Sequence, residues 1–235
     1  MAPGRQPGHA PGVTWVIAHR GASSEEKENT LPAFERAIEL GADYVEFDVQ
    51  SSSDGGLVVF HDLRLERLTA ARGTLRSRTL DELRELGIAT LAEVLELTSG
   101  RIGIMAEIKS PWLHRRHDIV RRTIELLPED AVVVSFSRRA ILETRQLRPG
   151  LRTVQHVGYG TSIRAAAGFA WAVGFEAARV TPRGIAKAQS LGLETTVYTV
   201  NEELRMLELE ELGVSGIFTD YPGRAAAALD RPAAG

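Results

Sequence analysis

Eight short β-branched or apolar runs, each followed by a stretch of helical period, constrain this chain more than any other feature. The runs are TWVIAH (14–19), DYVEFDVQ (43–50), RIGIMAEIK (101–109), AVVVSF (131–136), LRTVQHV (151–157), FEAARV (175–180), TTVYTV (195–200) and SGIFTD (215–220). Between them lie amphipathic pieces, from TLPAFERAIELG through TSIRAAAGFAWAV to GRAAAALD, several ending at Gly or Pro. Eight such units within 235 residues predict a (β/α)8 TIM barrel in a single domain, whose strands are apolar because both faces are buried. A doubly wound open sheet is the competing fold. No G-x-G-x-x-G or G-x-x-x-x-G-K-[ST] turn follows a strand to support it.

Residues 51–89 interrupt the alternation. SSSDGG signals a turn, GLVVFHD returns as a strand, and the following RLERLTAARGTLRSRTLDELRELG is too polar for barrel core, so a short hairpin and lid insertion is expected after the second strand. Residues 1–13 read as a disordered leader, 14–228 as the domain and 229–235 as a loose tail. The leader has Pro and Gly where a signal peptide needs a continuous apolar segment, so the expectation is a cytoplasmic protein. No run approaches the roughly 18 to 20 apolar residues that cross a membrane. Lys+Arg 28 against Asp+Glu 31 argues against a nucleic-acid partner, and the absence of cysteine excludes disulfides and thiolate chemistry.

The ionisable residues fall at the carboxyl ends of the first three strands, the active-site face of such a barrel. His19 and Arg20 close the first, Glu46 and Asp48 lie near the end of the second, and Glu107 and Lys109 end the third. Residues two apart share a strand face, so Glu46 points with Asp48, and Glu107 with Lys109. Three carboxylates without Cys or a His-x-His pair suit a hard divalent ion, Mg²⁺ or Ca²⁺, with Mn²⁺ as a third choice. A turn at Ser53-Asp54-Gly55-Gly56 brings His61 beside Asp48. His19 and His61 would then flank one metal as proton acceptor and donor for displacement at phosphorus, while Arg20 and Lys109 neutralise the phosphate oxygens.

The string HRGASSEEKENTLPAFERAIELGADYVEFDVQSSSDGGLVVFHD resembles the signature of the glycerophosphodiester phosphodiesterase family, and TLAEVLEL, AEIK, VVVSFS, TVYTVN and GIFTDYPG follow in that family's order. The resemblance spans nearly all of residues 15–223. It implies a (β/α)8 barrel with a small insertion that uses a divalent ion to hydrolyse a small-molecule glycerophosphodiester to glycerol 3-phosphate and an alcohol. Carried over, His19 and His61 are the catalytic acid/base pair, Glu46, Asp48 and Glu107 the metal ligands, and Arg20 and Lys109 the phosphate contacts. Glu28, in Glu28-Asn29-Thr30, stands at a family motif position on the substrate side. Departures lie at Tyr198, where the family usually has Trp, and at Val134-Ser135-Phe136, where it usually has Ser-Ser-Phe. They alter the wall facing the glycerol or the leaving group.

Competing readings attach to single residues. Asn29 or Thr30 also reads as the cap of the following helix. Trp112 is either an aromatic over the substrate or one packed under a loop. His114 and His117 are read as a solvated helix face in preference to a metal pair, and His156 as packing. Among functions, a lysophospholipase D, a phosphatidylinositol-phospholipase-like diesterase and a non-catalytic barrel binding a phosphorylated ligand stand as alternatives. No apolar or basic membrane-docking surface is visible in the sequence, which disfavours the lipases.

Overall fold

A computed structural model describes residues 13–158 and 160–229. The expected leader and tail lie outside the described residues, except for Val13 and Leu229. The elements run β1 (Trp15–His19), α1 (Leu31–Glu39), β2 (Tyr44–Ser51), β3 (Leu57–Val59), α2 (Leu80–Glu85), α3 (Leu91–Thr98), β4 (Gly103–Ile108), α4 (Ile119–Leu126) and β5 (Val132–Ser135). They continue α5 (Arg138–Leu147), β6 (Arg152–His156), α6 (Ile163–Ala166), β7 (Ala172–Glu176), α7 (Pro182–Gln189), β8 (Glu194–Tyr198), α8 (Glu203–Glu211), β9 (Gly216–Thr219) and α9 (Pro222–Ala228). Parallel pairing runs β1-β2-β4-β5-β6-β7-β8-β9 and returns to β1, which closes an eight-stranded barrel of the TIM type. No helix among the described residues is long and apolar enough to cross a membrane.

Strand alternation divides the core in two. Val16 and Ala18 of β1 pack outward with the helices, whereas Trp15 and Ile17 point into the lumen with Tyr44, Met105, Val132, Val134, Val154, Ala172 and Phe218. The same period carries upward: Tyr44 leads to Glu46 and Asp48, Met105 to Glu107 and Lys109, and Ile17 to His19. An apolar plug thus floors the barrel, and the next residues on the same faces are its ionisable ones. Register sets them side by side, His19 opposite Glu46 and Asp48 opposite Glu107.

The structure moves three expectations. The strand read at 175–180 is β7 at Ala172–Glu176, because Ala172, Val173 and Phe175 are buried while 177–179 turn toward α7. The preceding helical stretch correspondingly shrinks to the four residues of α6. The insertion is not merely polar: β3 pairs antiparallel with β2, and Val58, Phe60, Leu65, Leu75, Leu83 and Ile88 form a small core of their own. The His114/His117 segment is a pair of 3₁₀ turns with His114 buried, not a solvated helix face; its imidazole Nδ1 lies 2.9 Å from Ser51 Oγ at the end of β2.

Gly174 in β7 shows how tightly the upper lumen is filled. A Cβ there would run into the imidazole of His156, which is buried and stacked against Phe136 and Tyr198 at 4.4 and 4.2 Å between ring centres. The ring has nowhere to retreat. Gly174→Ala is expected to cost about 1–3 kcal/mol through overpacking, a fall in Tm of roughly 3–10 °C. An unchanged thermal melt would show that the His156 ring has slack.

Candidate active site

The turn after β1 begins the site. Arg20 (φ 59°) and Gly21 (φ 85°) both adopt left-handed backbone, and a side chain on Gly21 would collide with the Ala33 backbone. The turn aims the Arg20 amide at Glu46, to whose Oε2 it donates at 3.1 Å. Asn29 is also left-handed (φ 58°); its amide donates to the Arg20 carbonyl, and its Nδ2 donates to Asp48 Oδ2 at 2.8 Å. Thr30 then caps α1 by accepting from the Ala33 amide. The expected cap and the site motif are therefore neighbours in one turn, Thr30 capping and Asn29 fixing the acid.

Glu46, Asp48 and Glu107 are all buried, and one ligand oxygen from each lies within 4.8 Å of the others. Two cations face these three acids. Lys109 Nζ stands 3.0 Å from Glu107 and 3.3 Å from Asp48, and Arg20 Nε stands 3.3 Å from Asp48. Burial opposes ionisation of Asp48, but Lys109, Arg20, His61 and the Asn29 hydrogen bond together hold its carboxyl well below the usual range. Glu46 goes the other way: burial, then repulsion from Asp48 and Glu107, pushes it well above the ordinary value. Glu107 is likewise raised, chiefly by burial.

Both histidines expected from the sequence border this cluster. His61 is delivered by the hairpin, where Val49 pairs with Val59 and the Phe60 amide donates to the Asp48 carbonyl. Each imidazole is gripped on Nδ1 by a carboxylate, His19 by Asp220 and His61 by Asp62, both at 2.7 Å. Those two aspartates were not among the sequence candidates. The His61-Asp62 dipeptide was a readable signal; Asp220, 201 residues from His19, was signalled only by its place at the end of the last strand run and in the GIFTDYPG string. Burial lowers the His61 pKa, and Lys109 and Arg20 add to this while Asp48 opposes it, so the imidazole is neutral at pH 7.

Glu28 accepts from Arg20 Nη1 at 2.9 Å and from Arg67 of the insertion, tying the first turn to the hairpin. Tyr198 packs with Phe136, His156 and Phe218 beside Glu107, to whose Oε2 His156 Nε2 comes within 4.0 Å. Trp112 is not part of this group. It is 56% exposed and makes no ring contact among the described residues, so it is not packed under a loop.

Asp220 also accepts from Ser23 Oγ at 3.1 Å and from Asn201 Nδ2 at 2.7 Å. Burial would raise its pKa, yet the bonds from His19, Asn201 and Ser23 hold it down at about 2. A carboxyl depressed on folding adds stability above its unfolded pKa and loses it as pH falls through the folded value. The half-exposed group is screened, so the contribution is about 1 kcal/mol. Asp220→Asn is expected to lower the urea midpoint at pH 7, and its gap to wild type should close between about pH 4 and 2. A gap independent of pH would refute the charge-based account.

The profile of the Glycerophosphoryl diester phosphodiesterase family matches residues 19–224. The glycerophosphodiester phosphodiesterase of Bacillus altitudinis is 31% identical, with 91% of this chain and 97% of that protein covered. Among solved structures, a phosphodiesterase of Oleispira antarctica in complex with the product sn-glycerol-3-phosphate superposes with a TM-score of 0.84 at 27% identity, covering 93% of this chain and 97% of the other. A glycerophosphodiester phosphodiesterase of Thermotoga maritima gives 0.78 at 28% identity, covering 89% and 96%.

Proposed function

The chain belongs to the glycerophosphoryl diester phosphodiesterase family, and from that premise we propose that it hydrolyses glycerophosphodiesters to glycerol 3-phosphate and an alcohol with His19 and His61 as its proton carriers. The observation that carries the reading is the pair of carboxylate-held imidazoles beside one buried acidic cluster. A binding barrel has no use for a second proton carrier.

Glu46, Asp48 and Glu107 are the residues that would hold a divalent ion, Mg²⁺ or Ca²⁺ with Mn²⁺ as an alternative. Their donor set is all oxygen, and the raised carboxyls of Glu46 and Glu107 mark negative charge that Arg20 and Lys109 leave incompletely compensated. Such an ion supplies charge stabilisation at the phosphoryl oxygens. Neutral His61 takes the proton of the attacking hydroxyl as the new P–O bond forms, either that of water, which gives glycerol 3-phosphate directly, or the glycerol 2-hydroxyl, which gives a cyclic phosphodiester that a water then opens to glycerol 3-phosphate. The P–O bond to the alcohol breaks, and His19, held by Asp220, gives its proton to that oxygen. Arg20 and Lys109 meet the non-bridging oxygens, the first by its fork and the second as a point charge. Glu28 orients Arg20, and Tyr198 walls the substrate.

The test is release of glycerol 3-phosphate from glycerophosphocholine by the purified chain, with and without chelator. Product that appears with Mg²⁺, Mn²⁺ or Ca²⁺ and disappears with chelator is expected. No product with any of the three ions would overturn the enzymatic reading in favour of a phosphate-ligand-binding barrel.

A further inference from the structure

Two large apolar side chains stand in solvent just beyond the site. Leu63, two residues after His61, is 47% exposed, and Trp112, three after Lys109, is 56% exposed. Neither is on a loose tip. Trp112 sits on the 3₁₀ turn Pro111–Leu113, closed by the Leu113 amide donating to the Ser110 carbonyl and anchored by His114 against Ser51 of β2. Leu63 accepts through its carbonyl from the amide of Leu75, which is buried in the insertion's core.

The two segments converge. The 3₁₀ turn Leu75–Ser77, which carries Arg76, packs on β2, and Ser51 at the end of β2 bonds the imidazole of His114, next after the Trp112 turn. Arg115 and Arg116 continue from His114, and all three arginines are exposed. Their neighbours Arg64, Arg67 and Arg78 are paired with Glu66, Glu28, Asp62 and Glu82. Arg76, Arg115 and Arg116 make no ion pair with a described carboxylate.

We propose that this rim is the docking surface for an anionic phospholipid bilayer, with Trp112 and Leu63 entering the interface and Arg76, Arg115 and Arg116 engaging lipid phosphates. Indole prefers the boundary between headgroups and acyl chains, where its apolar body is buried and its N–H stays wet. Guanidinium pairs with phosphate through two parallel hydrogen bonds. A free phosphate would recruit the arginines but leave the indole and the leucine without purpose. The surface is invisible in sequence because Leu63, Arg76 and Trp112 are brought together only by the insertion folding against the turn after β4. The proposal concerns attachment alone, and its test reads binding instead of turnover, so it stands or falls separately from the reaction assigned above.

The experiment sediments the full chain with vesicles of phosphatidylglycerol mixed with phosphatidylcholine and with vesicles of phosphatidylcholine alone. Co-sedimentation with the mixed vesicles only is expected, weakening as salt rises, together with a blue shift of tryptophan emission that Trp112→Phe abolishes. Arg115→Glu with Arg116→Glu, and separately Trp112→Ser with Leu63→Ser, should each lower partitioning by about tenfold or more, with melting temperatures near wild type. No binding by the wild type, or binding retained in both double variants, would overturn the proposal. So would a dimer seen by sedimentation velocity and split by Trp112→Ser without any vesicle binding, which would assign the rim to a second copy of the chain.

Discussion

Alanine at His61 or at His19 is expected to lower kcat on glycerophosphocholine by about 10² to 10⁴ while leaving the melting temperature close to wild type. Both imidazoles are part-exposed at the mouth and support little of the core. The two variants should separate on a diester whose leaving group is p-nitrophenolate, which departs without a proton. There His19→Ala recovers most of its lost rate, because its proton is no longer needed, whereas His61→Ala stays slow, because the nucleophile still has to be deprotonated. Equal recovery in both would exchange or dissolve the roles, and wild-type turnover in either would remove that residue from the reaction.

The second large effect concerns two acids on one strand face that should respond in opposite directions. Asp48 is ionised and receives Arg20, Lys109 and Asn29. Asp48→Asn therefore strips a buried anion from two part-buried cations, at a cost of about 2–4 kcal/mol and a Tm lower by roughly 5–15 °C. Glu46 carries a carboxyl raised by burial and by its acidic neighbours, so its ionisation works against the fold increasingly as pH rises above its ordinary value. Glu46→Gln removes that penalty and keeps an acceptor for the Arg20 amide, so in chelator at pH 7 its melt should match or exceed wild type. Calorimetry should show loss of divalent-ion binding in both variants. Identical melts in chelator, or an ion isotherm unchanged by either substitution, would mean the charges are not distributed as described.

Much of this was legible in the chain before folding. The barrel follows from the beat of apolar strands, and the Glu46/Asp48 and Glu107/Lys109 faces follow from the two-residue period, because both depend only on local geometry. His61 was legible through its turn, since a hairpin is a short-range contact. What escaped depends on closure or on mutual burial. Asp220 reaches His19 only because β9 pairs with β1, and Asn29 reaches Asp48 only through two left-handed residues that composition does not announce. The strand β7 was placed too late because Ala172 and Gly174, on either side of Val173, carry weak strand propensity, and pairing with β6 and β8 decides the matter. His114 looked solvated beside its arginines, yet the turn folds it beneath them.

The bond between His19 and Asp220 spans the seam where the first strand meets the last. A ribosome that has made all nine strands has still not made the aspartate that grips His19, since Asp220 follows directly on β9. A shortened product that stops before residue 220 leaves His19 without its carboxylate partner, and under the roles proposed above it should turn over more slowly than the full chain.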